Sequence, residues 1–166
     1  MRYSFQPEQL LPDSRAAFDT ILERRGNVAP MYRTLIASPD VALSIEELSA
    51  RLWKGGLPQS VLETVFLVVS RKFHCDEQWK RHAPKALAAG VLQEGVDAIA
   101  KGLCPSGPLE VRTAYRVAKR LLAGRRIPNL LWAQARTTYG DSGLADLCAF
   151  LGVACLVAMS INLQDP

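Results

Sequence analysis

PQSVLETVFLVVSRKF, residues 58–73, is the stretch whose reading decides the fold. Pro58 is suited to the first turn of a helix, and Val61, Leu62, Val65, Phe66, Leu67, Val68 and Val69 leave that helix almost no polar face. Glu63 stands among them, so a partly buried carboxylate is expected, and a carboxylate in such a place must find a donor or hold its proton. The other placement open to Glu63 is the first turn, in water, where the helix dipole favours an acid.

The same helical spacing extends in both directions from this segment. Apolar residues recur three and four apart between Gly, Pro and Asn, and no stretch alternates as a strand would, so the class is all-α. Upstream, Asp13 is placed to cap a helix to about Arg25, stopped by Gly26 and Asn27. Pro30 opens a short helix, PMYRTLIAS, which Pro39 interrupts, and Ser38 and Asp40 start a longer one that ends at Gly55 and Gly56. Downstream, a helix runs from about Asp76 to Ala89 with Gly90 as its stop, followed by a short helix before Gly102, a turn CPSGP and a basic helix from Leu109 to Ala123. Asn129 is placed to cap a helix ending near Tyr139 and Gly140. The last helix, Ser142 to about Asn162, is apolar nearly all round, which suits a central or interface position.

With 166 residues, 49% of them apolar and 22% charged, the chain can bury one sizeable core, and a single domain over residues 1–166 is expected. That composition excludes a disordered chain, and four cysteines are too few for a disulfide-dense scaffold. Cys75, Cys104, Cys148 and Cys155 have no metal-ligand spacing, so reduced thiols and no metal are expected. The opening MRYSFQPEQLLPDS has no apolar core, and Leu144 to Met159 contains Asp146 and falls short of the roughly 20 residues a membrane span needs. A soluble, cytoplasmic protein without a membrane partner is the expectation. The net charge of +4 favours anionic partners only weakly. Nucleic acid is not expected as a partner, because aromatics are 7% of residues and only Tyr115 interleaves the basic helix. Small apolar helices in such number suit a homo-oligomer.

Candidate chemistry gathers after the apolar helix. Cys75, Gln78 or Trp79, and His82 fall at helical spacing and project from one side, with His74 in the preceding turn. An imidazole, ordinarily titrating near pH 6.5, suits proton transfer at neutral pH, although a helical histidine is also often structural. Cys75 at a helix start can have its thiolate favoured by the dipole, or be a small packed hydrophobe. The candidate catalytic residues are therefore Glu63, His82 and Cys75, and the candidate substrate-binding residues Gln78, Trp79 and His74. Arg112, Arg116, Lys119, Arg120, Arg125 and Arg126 offer cations for an anionic substrate, or form a solvated face.

Glu63, an eleven-residue gap, Cys75, and then CDEQWKRH and HAPKALAAGV resemble the carboxymuconolactone decarboxylase family, whose members share a helical fold with alkyl hydroperoxidase D-like proteins. RRGNVAPMYRTLIASPDVA is similar to that family's entry segment, and the chain from Ile127 to Asn162 to its closing helices. The resemblance implies an alkyl hydroperoxidase D-like bundle and a lyase that removes carbon dioxide from an unsaturated lactone acid without a cofactor. His82 would then be proton donor or electrostatic partner, Glu63 would orient or reprotonate it, and Gln78 and Cys75 would be neutral walls. The peroxidases of the superfamily carry a CxxC pair, whose second position is here Gln78, so a dithiol cycle is disfavoured. Two other classes remain: a redox protein using Cys75 alone, and a non-catalytic scaffold.

Overall fold

In the computed structural model, which describes residues 5–164, a helix over Gln59–Phe73 runs through the middle of the protein, and every residue from 61 to 70 is buried. It is α4 in chain order. Before it come α1 (Pro12–Arg25), the short α2 (Tyr32–Leu35) and α3 (Pro39–Trp53). After it come α5 (Asp76–Ala88), α6 (Gln93–Ala100), α7 (Leu109–Leu122) and α8 (Asn129–Asn162). Among the described residues every regular element is helical. The all-α class is thus the architecture found.

Apolar residues on all sides of α4 let it pack against α5, α6, α7 and α8 at once. Each fully buried Val, Leu or Phe contributes about 1.5–3 kcal/mol relative to exposure, so this one helix anchors the main core. The last helix, expected in a central or interface position, is the second piece of α8, and α8 packs against α2, α3, α4, α5 and α7. The end of α8 lies against one side of α4, and Ala145, Cys148, Gly152 and Met159 are exposed along its outer face. By length and composition α8 could cross a membrane, and 44% of its most apolar window is buried within the fold. Gly140, at φ 70° and ψ 178°, breaks it into two helical pieces. Only glycine readily occupies that region, which is why the sequence could place a stop there.

Proline, rather than a polar side chain, begins most of these helices. Pro12 and Pro39 occupy the first helical positions of α1 and α3, and Pro58, Pro108 and Pro128 stand immediately before α4, α7 and α8. Proline's fixed φ sets the first turn, and the N–H it lacks would have been unpaired there. Asp13 and Asn129 consequently lie inside the first turn instead of capping it, and Ser38 makes no side-chain capping bond.

A second apolar cluster joins α1, α2 and the start of α3 through Ala17, Ile21, Met31, Tyr32, Ile36 and Ala42, and Val157 of α8 packs against both clusters. Glu46, almost fully buried, takes Arg24 Nη1 at 2.9 Å and Arg25 Nε at 3.1 Å, which ties α1 to α3. Burial pushes the nearby Tyr32 hydroxyl up to about 12. The 26–31 connection is latched to the end of α8, where Gln164 Nε2 donates to Pro30 O at 2.8 Å and Thr34 Oγ1 to Ser160 O at 2.9 Å.

Candidate active site

Glu63 sits in the second turn of α4, on the side that faces α5, and is fully buried. Of the two placements open to it, the structure takes the buried one. His82 projects from α5 towards it, and its Nδ1 lies 2.6 Å from Glu63 Oε2. That is shorter than the ordinary N–H···O range of about 2.7–3.2 Å. With Nδ1 committed to the carboxylate, Nε2 is the nitrogen left for other chemistry.

The imidazole is also held face-on. Phe66, one turn beyond Glu63, stacks on it with ring centroids 3.8 Å apart and planes 8° apart. Trp53, from the last turn of α3, lies parallel to both rings, and Phe150 of α8 meets Trp53 and Phe66 edge-on at 5.2 Å. Glu63 fixes the ring within its plane and Phe66 fixes it out of the plane. A single face of α4 supplies both contacts because the two residues are three apart.

This pair lines a cleft of about 690 Å³ between α4 and α5 on one side and the 25–31 segment and α3 on the other. Gln78 lines it too, four residues before His82, and its Nε2 donates to Ala154 O at 3.3 Å. Arg25, Arg81 and Lys85 supply the cationic groups of the lining, and Glu63 is its only carboxylate among the described residues. Among the described residues no three His, Cys, Asp or Glu side chains converge to hold a metal ion.

The structure brings Glu63, His82 and Gln78 together and leaves the other three candidates outside the cleft lining. Cys75 is buried in the main core just before α5, Trp79 packs half-buried against that core, and His74 is exposed at the end of α4 with φ 52°. Burial pushes the Cys75 thiol up, and the Asp76 and Glu77 charges add to this while the Gln78 backbone partly opposes it. Desolvation outweighs the dipole effect that the helix start suggested. The cations of α7 and of the connection after it are also elsewhere: Arg116, Lys119, Arg120 and Arg125 line a separate hollow of about 540 Å³ that shares no residue with the cleft.

Sequence reasoning missed Phe66, Trp53, Arg81 and Lys85. A signal existed for three of them, since Phe66 is three residues from Glu63, and Arg81 and Lys85 flank His82 on the same helix. Trp53 had none, because its place depends on how α3 crosses the bundle. Compared with models of known protein families and with curated proteins, the chain matches none.

Proposed function

We propose that this chain is a lyase resembling carboxymuconolactone decarboxylases, built as an alkyl hydroperoxidase D-like bundle. On this reading it acts as a cytoplasmic homo-oligomer, without an added cofactor, on a small anionic lactone or carbonyl acid. The observation that carries the reading is the buried Glu63–His82 pair at 2.6 Å, opening on a cleft whose other charged groups among the described residues are cations. Loss of carbon dioxide leaves an electron pair that spreads into a carbonyl as an enolate. His82 Nε2 is positioned by the Nδ1 contact to deliver a proton to carbon, and Glu63 stabilises the imidazolium before transfer and orients the neutral ring through Nδ1–H after it. Arg81 and Lys85 would draw the substrate carboxylate to the rim.

Two features speak for this reading over its rivals. A buried Cys75 with a raised thiol pKa holds little thiolate at neutral pH, which disfavours single-cysteine peroxide chemistry. A scaffold would be expected to neutralise Glu63 with a local arginine in a closed apolar core, whereas here it meets an imidazole beside a cleft. The test is a screen of lactone acids and hydroperoxides followed in parallel for carbon dioxide release and peroxide loss. Release of carbon dioxide that disappears in His82→Ala supports the lyase. Peroxide loss alone, or neither signal, overturns it.

A further inference from the structure

Three helices end around one hollow of about 330 Å³, away from the acid–base cleft. Val68, Arg71 and Lys72 come from the end of α4, Ile99 and Lys101 from the end of α6, and Lys119 and Leu122 from the end of α7. Val68 and Ile99 are buried and Leu122 half-buried, so the floor is apolar, while Arg71, Lys72, Lys101 and Lys119 are exposed around it. The 540 Å³ hollow adjoins this one, because Tyr115, Lys119 and Ala123 line both, and it adds Arg116, Arg120 and Arg125. Among the described residues neither lining contains a carboxylate, and none of these cations has an ion-pair partner.

Cations near a helix C-terminus ordinarily offset the dipole, which amounts to about half a negative charge per end. Three ends are thus balanced by about 1.5 positive charges, and four stand around the first hollow alone. Arg116 lies nearly two turns before the end of α7 and Arg125 lies beyond it, so neither serves that purpose. The ammonium between the two hollows is also held in place. Lys119 Nζ donates to Gly102 O at 2.5 Å and to Tyr115 Oη at 3.0 Å, and Tyr115 Oη donates to the same carbonyl at 2.6 Å. An ammonium has three donors, so one N–H of Lys119 is unspent. Arg120 Nε donates to Arg126 O at 3.0 Å, which holds the connection bearing Arg125 against α7 and leaves both Nη groups for a ligand.

We infer that the joined hollows bind a small organic phosphate with an apolar body. Its phosphate is held by Lys119 with the arginines of the second hollow, and its body lies on Val68, Ile99 and Leu122. A phosphate monoester carries about −1.5 to −2 at neutral pH and presents three acceptor oxygens, which guanidinium groups take in pairs, whereas a carboxylate brings a single charge to the same cluster. A recessed apolar floor suits a soluble molecule rather than a flat lipid surface. The site shares no residue with the cleft and does not depend on the lyase reading.

Calorimetry on the full chain with 1-naphthyl phosphate, 1-naphthoate and inorganic phosphate tests this. The ester is expected to bind about 10-fold more tightly than naphthoate, which lacks the second charge, and than phosphate, which lacks the body. Lys119→Gln and Arg116→Gln, both on exposed side chains outside the core, should each weaken the ester about 10-fold. Lys80→Gln removes the same charge from an exposed residue of α5 outside these hollows and should leave the affinity unchanged. No preference for the ester, an equal loss in Lys80→Gln, or no binding of the ester overturns the inference. So does a loss in Lys85→Gln in place of Lys119→Gln, which would put the ester in the acid–base cleft. Binding confined to phosphatidic acid vesicles or to single-stranded DNA, with none of the soluble ester, overturns it as well.

Discussion

Phe66 lies flat against His82, with 3.8 Å between ring centroids, while the residue one turn earlier in α4 binds the edge of the same imidazole. The ring is therefore held in two directions by one helix, and loosening either contact should misplace Nε2. Phe66→Leu keeps an apolar side chain there but removes the flat surface. It should cost about 1–2 kcal/mol of stability and lower kcat about 10-fold on the acid that the screen finds turned over. Denaturant unfolding reads the first, and broadening of the His82 ring resonances in NMR distinguishes a mobile imidazole from a general loss of structure.

Glu63 and His82 should behave as a unit. Glu63→Gln and His82→Ala are each expected to lower kcat by about 10²–10⁴, the range of a positioned acid or base. The double variant should then be little worse than the more damaging single one, because either change alone disables the same proton path. Steady-state kinetics on the three variants checks this, and additive losses would mean that the two groups act separately.

Gly140 should be intolerant of alanine for a reason confined to the backbone. A Cβ there would meet nothing within 4 Å, yet φ is 70° and ψ 178°. Gly140→Ala is expected to destabilise by about 1–3 kcal/mol. Gly152 also has open space around it but lies within regular helix on the exposed side of α8, so Gly152→Ala should stabilise slightly, by about 0.5–1 kcal/mol. Thermal unfolding of the two variants should show opposite signs.

Cys75 provides a pH prediction. Its thiol is raised above the ordinary value, chiefly by burial, so the folded state favours the neutral form. The stability this contributes is fully present below the ordinary thiol pKa and is lost as pH rises through the raised value. At pH 7, alkylation by iodoacetamide should reach the exposed Cys104 and Cys148 well before Cys75, and the gap should narrow as the solution is made more alkaline. Mass spectrometry of the timed products reads the order directly.

The helices were legible because their punctuation is local. Gly26, Gly90, Gly102 and Gly140 all adopt positive φ where the spacing asked for stops, and the apolar run after Pro58 is the enclosed α4. What failed locally was the assignment of caps, since the prolines that precede or open helices displaced Asp13 and Asn129 from that role. Within the site, Glu63, Gln78 and His82 could be found because helical spacing puts the last two on one side of α5 and the burial of α4 forces its carboxylate towards a donor. Cys75 shares that spacing but is turned into the core, where packing outweighs proximity in sequence. Trp53 and Arg25 reach the cleft only through the crossing of separate helices and the path of the 26–31 connection, which no short pattern encodes.

That connection has a mechanical meaning. One wall of the cleft belongs to the main core and the other, from Arg25 to Met31, to the smaller cluster behind it, with Val157 packed against both. Beyond that contact, this second wall is held to the end of α8 by the Gln164 to Pro30 bond, and the adjoining α2 by Thr34 to Ser160, both only partly buried. A seam of this kind breathes before either body melts, so amides between Gly26 and Met31 exchange with solvent sooner than those of α4. Entry to the space beside Glu63 and His82 should therefore respond to changes at Gln164 and Thr34, which lie outside the cleft lining.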